Sequence, residues 1–307
     1  MLGVLTGFGI IGFVILVGYL VQRFGILPQG SLVALNRVAF FVATPALLFT
    51  VLARSHPATV FTSTILVTLL SVVIAAGLYV AASRIWFRQP LAETTVGAAA
   101  SGYVNANNIG LPVATYVLGS AQLIAPLLLL QLIVLAPITL SILDITTRGS
   151  ASVKSILMQP LRNPMILGSL AGLLVALTGV EIPAPVLAPF ELIGGAAIPL
   201  VLLAFGMSLV GQRPLQPGSG RLQIAAAVAI KLVVMPTAAF LLGRFVFHLD
   251  PDHLFGVVAL ASLPTAQNIY NFAARYQRGV VLARDTVLIT TIGSVPLLVV
   301  VAALLAP

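Results

Sequence analysis

Apolar runs of about 20 residues, the length that carries a helix across a bilayer, follow one another along this chain with only short Gly-, Pro- or Arg-marked interruptions. Such a chain has few folds open to it. In lipid every backbone N–H and C=O needs an internal partner, so each run becomes a helix. Charged residues make up 7% and hydrophobic ones 60% of the 307 residues, against roughly 25% charged in a soluble domain. The fold class is therefore an all-α integral membrane protein. The net charge of +8 does not indicate nucleic acid, because the Lys and Arg residues are scattered singly through short loops and form no basic face. Without cysteine there is no disulfide framework, thiolate metal site or thiol nucleophile. His56, His248 and His253 fall in apparent loops and read as surface residues.

Pro, Gly and charge clusters punctuate the chain into ten predicted spanning helices, at roughly 2–22, 31–52, 58–82, 91–118, 120–143, 164–180, 185–211, 221–247, 252–276 and 285–305. The first lacks a basic leader and is too long for a signal-peptide core. The connection 144–163 carries Arg148, Lys154 and Arg162 around Val153, Ile156, Leu157 and Met158, and reads as a cytoplasmic linker with a short surface helix. It divides the chain into five-helix sets, 1–143 and 164–307. The sets correspond: Gly25-Ile26-Leu27-Pro28 answers Gly179-Val180-Glu181-Ile182-Pro183, Pro45 answers Pro199 at an offset of 154, and Pro137 answers Pro296 at 159. Because five is odd, the second copy enters the membrane from the opposite side, which makes the repeat inverted. Connections one, three, five, seven and nine hold eleven basic residues (Arg23, Arg84, Arg88, Arg148, Lys154, Arg162, Arg213, Arg221, Arg275, Arg278 and Arg284), and the even ones only Arg54 and Arg244. The positive-inside rule then places the odd loops in the cytoplasm and both termini outside.

Two of the apolar segments contain polar cassettes: Asn105-Ala106-Asn107-Asn108-Ile109-Gly110-Leu111-Pro112, and Thr265-Ala266-Gln267-Asn268-Ile269-Tyr270-Asn271 160 residues later. Amides in lipid are expensive unless paired or functional. Pro112 lacks an N–H and clashes with the carbonyl of Asn108, and Gly110 relaxes the backbone, so the fourth helix is expected to break there. Pro264 places the second break on the N-terminal side of its amides. Where two broken helices meet, their exposed N–H and C=O ends can hold an anion without a charged side chain. The candidate substrate-binding residues are Asn105, Asn107, Asn108, Gln267, Asn268 and Asn271, with Gly110, Pro112 and Pro264 as the crossover or hinge. The plainer reading is that the amides only bond neighbouring helices.

Lys231 lies about ten residues, roughly 15 Å, into the eighth helix. It can snorkel, bond carbonyls freed by a broken helix, or attract an anionic substrate. Arg37 and Glu191 read as snorkelling residues; Gln131, Thr290 and Thr291 are polar points beside the crossover. The steps Gly3 to Gly7 and Gly168 to Gly172 have GxxxG spacing. No mid-membrane carboxylate pair is seen, which disfavours a proton or sodium antiporter built on one. No protease, hydrolase or phosphate-loop motif is present, so no enzymatic chemistry and no cofactor or metal site is expected.

The five-plus-five pattern, Leu35-Asn36-Arg37 leading to Pro45-Ala46-Leu47-Leu48-Phe49, the Asn-rich Ile109-Gly110-Leu111-Pro112 break and Ala261-Ser262-Leu263-Pro264 resemble bacterial members of the auxin efflux carrier family, along nearly the whole chain. Related bile-acid symporters and sodium/proton antiporters share crossed helices. The resemblance implies a scaffold from helices within 1–52 and 164–211, and a transport unit from those within 58–143 and 221–305. It implies elevator motion, a homodimer in the inner membrane, and an organic anion such as an auxin-like or dicarboxylic acid. Carried over residue by residue, it makes Pro112 and Pro264 the crossover prolines and adds Gln131 to the substrate-facing amides. The long cytoplasmic loop of plant auxin transporters is absent. A sodium-coupled organic anion symporter and a non-transporting membrane sensor stand as alternatives.

Overall fold

A computed structural model describes residues 2–28, 30–54, 63–148, 163–211, 215 and 220–306. The surface helix expected in the linker lies outside the described residues. The regular secondary structure of the described residues is all helical, and the only extended pairing among them is one isolated bridge. In order, the helices are α1 (Leu2–Arg23), α2 (Ser31–Ala53), α3 (Ser63–Phe87), α4 (Leu91–Gly102), α5 (Leu111–Tyr116), α6 (Ala121–Thr147), α7 (Pro164–Thr178), α8 (Ala184–Ser208), α9 (Arg221–Val246), α10 (Pro251–Ala261), α11 (Gln267–Tyr276) and α12 (Val280–Leu305). Seven are long and apolar enough to cross a membrane: α1 from Thr6, α2, α3, α6, α8, α9 and α12. The segments 91–118 and 252–276, expected as single helices, are each split, into α4 with α5 and into α10 with α11. The final helix begins at Val280 rather than 285, behind Gly279 at φ +58°.

Prolines shape these helices without ending them. Pro45, Pro112, Pro137 and Pro236 each stand two residues beyond a π turn, at Ala39–Ala43, Ala106–Gly110, Gln131–Leu135 and Ile230–Val234. A proline ring collides with the carbonyl four residues back and supplies no N–H; a locally wider turn accommodates it while the helix continues.

Two packing groups follow. α1 lies along the second half of α8, and α7 along the second half of α2, a reciprocal arrangement between the chain's halves. Small residues permit this contact: a Cβ on Gly206 would overlap the Ile15 carbonyl of α1, and Gly168 and Gly172 seat α7 on the carbonyls of Pro45 and Phe49 of α2. The remaining helices pack chiefly on one another, α3 on α4, α9 on α10 and on α3, and α11 on α12. The groups meet where α1 touches α5 and α8 touches the Ala106–Gly110 turn. At the helix ends Arg54 pairs with Glu191, so Glu191 has an ionic partner in place of simple snorkelling. Tyr276 donates to Asp144 at 2.8 Å, and Arg278 meets Glu93 at 3.5 Å.

Candidate functional site

The two interruptions lie against each other. After α4 the chain is extended through Tyr103 (φ −87°, ψ 116°), and after α10 it passes through Leu263, Pro264 and Thr265 before α11 starts at Gln267. Val104 and Thr265 form the isolated antiparallel bridge: the Asn105 N–H donates to Pro264 O at 2.8 Å and the Ala266 N–H to Tyr103 O at 3.0 Å. Each break thus satisfies backbone groups that the other leaves bare, as an apolar interior demands.

Side chains complete that accounting. Gln131 of α6, 2% exposed, donates from Nε2 to Val104 O at 3.0 Å, and the Tyr103 hydroxyl donates to Gln131 O at 3.2 Å. Thr290 of α12 accepts the Thr265 N–H at 3.1 Å. Gln131 and Thr290 stand at the same 159-residue offset as Pro137 and Pro296, so equivalent helices brace the two members of the bridge. The Thr265 hydroxyl donates to Ala100 O near the end of α4, at 2.6 Å. Lys231, fully buried on the π turn of α9, donates to Ala261 O, the last residue of α10, at 2.8 Å, and approaches the Met235 sulfur at 3.2 Å. Of the options for Lys231, the structure shows the bond to a carbonyl freed by a broken helix.

The first break falls at 103–105, ending on the first of its amides, and not at Gly110 and Pro112. Asn105 is the N-cap of the outgoing helix, accepting the Asn108 N–H on its side-chain oxygen at 3.1 Å. Pro112 follows the π turn Ala106–Gly110 inside that helix, and the wider turn accommodates its ring and missing N–H. Gly110 makes room: a Cβ there would press on Ile124 and Leu263 at 2.9 Å. Each break therefore lies at or before the first of its amides, and only the second has its proline, Pro264, inside the break.

Beside the bridge is a cavity of about 40 Å³, room for roughly one water molecule. Asn105, Asn107, Asn108, Gln131, Gln267 and Asn268 line it, with Tyr103 between them and Phe40 of α2 and Met165 of α7 opposite. Asn271 and Lys231 do not line it. Asn268 lies beside the Tyr103 hydroxyl, and Asn107 donates to the Asn108 side-chain oxygen at 2.9 Å. Two polar atoms have no partner: Asn105 Nδ2, on a side chain 3% exposed, and Asn107 Oδ1. An unpaired buried amide costs on the order of 1–3 kcal/mol, a cost that an acceptor placed against Asn105 Nδ2 would remove. Tyr103, Thr265, Phe40 and Met165 were not singled out from the sequence. Tyr103 stands two residues before the first cassette's Asn105 and Thr265 opens the second, which is the signal they offered; Phe40 and Met165 come from apolar stretches of remote helices and offered none.

The family model described as membrane transport protein matches residues 8–156 and 150–302. The "Putative malonate transporter" of Rhizobium meliloti is 29% identical over 305 residues, covering 95% of this chain and 91% of that protein. The "Uncharacterized transporter YfdV" of Escherichia coli K12 is 26% identical over 273 residues, 86% of this chain and 85% of that protein. With almost its whole length matched, the chain belongs to the membrane transport protein family, that of the auxin efflux carriers, and is a multi-pass membrane transporter.

Proposed function

We propose that this transporter is a secondary carrier of a small organic anion, an auxin-like or dicarboxylate-type carboxylic acid, that works by elevator-type alternating access. The observation that carries this reading is the buried Asn105 amide, whose Nδ2 has no hydrogen-bond partner, on a residue that lines a cavity at the meeting of two interrupted helices. A carboxylate oxygen is the natural acceptor for that donor. The neighbouring amides of Asn107, Asn108, Gln267 and Asn268 supply further donors, and the N-terminal end of α11 adds a partial positive charge. The name of the Rhizobium meliloti relative favours a short dicarboxylate.

In this reading the chain makes ten crossings as a five-plus-five inverted repeat, with α4/α5 and α10/α11 as two broken helices that cross at the bridge. The reciprocal packing of α1 on α8 and α7 on α2, and the paired braces Gln131 and Thr290, support it. The group α1, α2, α7 and α8 is the scaffold, and also the contact between two copies in a homodimer; the other helices travel. Phe40 and Met165 are scaffold residues that line the same cavity as the amides, so movement of the transport unit would open and close the site between them. The asymmetry of basic residues puts both termini on the extracytoplasmic side of the inner membrane.

Proteoliposomes preloaded with unlabelled malonate test this by counterflow of labelled malonate. Exchange above protein-free vesicles is expected. No exchange of malonate or of any of a panel of mono- and dicarboxylates would overturn the assignment.

A further inference from the structure

We infer that the helices outside the scaffold hold two phospholipids with anionic headgroups, each with one acyl chain in one of two matched apolar grooves and its headgroup at an arginine, Arg84 or Arg244. In the ten-crossing reading above the grooves open to opposite faces of the membrane; the sites themselves do not depend on it.

The first groove, of about 270 Å³, lies between α3, α4 and α6. It follows α4 from Leu91 to Gly102 and ends at Tyr103, beside the bridge. The 12 residues of α4 cover roughly 18 Å at the helical rise, close to one leaflet's share of a hydrocarbon core about 30 Å thick. Val72, Ala76 and Val80 of α3 form one wall and Ile138 and Ile142 of α6 another. The second groove, of about 430 Å³, lies between α9, α10 and α12, with Leu232, Pro236 and Phe240 on one wall and Leu297 and Val301 on another. The three α9 residues answer those of α3 at an offset of 160, and the two α12 residues answer those of α6 at 159. The groove is therefore built into the repeat, once in each half.

Charge at the groove ends identifies the occupant. Residues four apart share a helix face, and the next member of each wall is an arginine: Arg84 after Val80, and Arg244 after Phe240. Both are exposed in a closing π turn, Ser83–Phe87 or Leu242–Val246, close to an exposed aromatic, Trp86 or Phe245, of the kind that settles at the headgroup level. Both turns are followed by a left-handed residue, Arg88 at φ +51° and His248 at φ +49°. Arg244 is one of only two basic residues in the even connections. At the first groove the acids on its helices are engaged elsewhere, Glu93 with Arg278 and Asp144 with Tyr276, and Arg88 adds to Arg84. At the second, Asp250 is held by His253 and Asp252 is exposed nearby, so that end is less positive. A groove inside a bilayer gains nothing by excluding water, because lipid tails are as apolar as leucine. What holds one particular lipid is close packing along its chain and the attraction of its headgroup to a basic residue at the membrane surface. The grooves supply the first and Arg84 and Arg244 the second.

The test is native mass spectrometry of full-length protein released from bilayers of equal parts phosphatidylglycerol and phosphatidylcholine, counting the lipids that stay bound. Wild type is expected to keep two phosphatidylglycerols per chain and to prefer them to phosphatidylcholine roughly fivefold, the effect of one basic residue near an anionic lipid. Arg84→Gln and Arg244→Gln should each lose one of the two, with the lipid left in Arg84→Gln the weaker held. Ala76→Phe keeps every charge but fills the first groove, and should lose the same lipid as Arg84→Gln; Ala76→Leu serves if that variant does not fold. Arg23→Gln removes an exposed arginine at the end of α1 that lines neither groove, and should keep both. Equal retention of the two lipids by wild type overturns the inference, as does wild-type retention in both arginine variants or an equal loss in Arg23→Gln. Full retention in the filled-groove variant overturns the placement of the chain. The count involves no substrate, so a failure of the carrier reading leaves it standing and its own failure leaves the carrier reading untouched.

Discussion

The two breaks are built from equivalent segments and solve the same backbone problem with different chemistry. At the first, α4 ends against Val72, its Ala100 carbonyl takes a neutral hydroxyl, and the outgoing helix is capped by the Asn105 side chain. At the second, α10 ends on the Lys231 amine, and no side chain caps α11. The first break leaves two polar atoms without a partner on residues that line a cavity; the second sets an amine nitrogen against its last carbonyl. The duplicated pair of interrupted helices thus meets two tasks: ending the incoming helix, on a hydroxyl in one half and an amine in the other, and lining the cavity, to which both halves bring amides.

Substitutions at matched positions should separate these tasks. The largest effect is expected from Asn105→Asp, which keeps the oxygen that caps the Asn108 N–H but replaces the open donor with a negative charge. Malonate exchange in proteoliposomes should fall roughly a hundredfold or more, since like charges facing each other across a desolvated contact cost several kcal/mol, while Tm stays near wild type. Next come the braces. Gln131→Leu leaves the buried Val104 carbonyl without its side-chain donor and Thr290→Val leaves the Thr265 N–H without its acceptor, each at a cost of about 1–3 kcal/mol. Urea or thermal unfolding should show similar losses for the two. Only Gln131→Leu should also weaken malonate, because Gln131 lines the cavity and Thr290 does not.

Pro112→Ala should change exchange by less than about twofold, because the π turn Ala106–Gly110 already accommodates the proline within the outgoing helix. A collapse of transport in this variant would mean that Pro112, and not the bridge at Val104 and Thr265, sets the break. The smallest effect is expected at Asp250, the N-cap of α10, far from either break's chemistry. The His253 backbone N–H holds its carboxyl below the 3.8 of an ordinary aspartate. A lowered folded pKa means that the capping contribution is present above the unfolded value and fades as pH falls through the folded one. Asp250→Asn, also a good cap, should shift Tm by the equivalent of less than about 1 kcal/mol at neutral pH and should flatten the fall in Tm below pH 4.

Much of this was legible in the sequence because membrane helices announce themselves by length and apolarity. The amides of both cassettes stood out because each is a cluster of Asn or Gln set in a largely apolar segment. The position of the first break was not legible. Pro112 looks like a breaker, and only the geometry shows that a π turn absorbs it while the chain opens earlier, at Tyr103 to Asn105. Asn271 carries the same chemical signal as Asn268 and lies one position short of a full turn further along α11, but the helix points it away from the cavity. Spacing alone did not say which polar face of α11 turns to the cavity, and in the apolar α9 sequence gives depth and not direction, so neither that outcome nor the bond from Lys231 to Ala261 was fixed in advance. The start of α12 at Val280 was hidden by Asp285, which looks like a loop residue. It is buried, held by Arg284 at 2.7 Å and by the Leu215 N–H at 2.8 Å.

The central claim is that the open amide at the first break receives a carboxylate. Calorimetric titration of malonate into purified wild type and Asn105→Asp, with uncharged malonamide as the control ligand, tests it most directly. Wild type should bind malonate and not malonamide, and Asn105→Asp should lose malonate while its unfolding stays cooperative; equal malonate binding by the two proteins would contradict it.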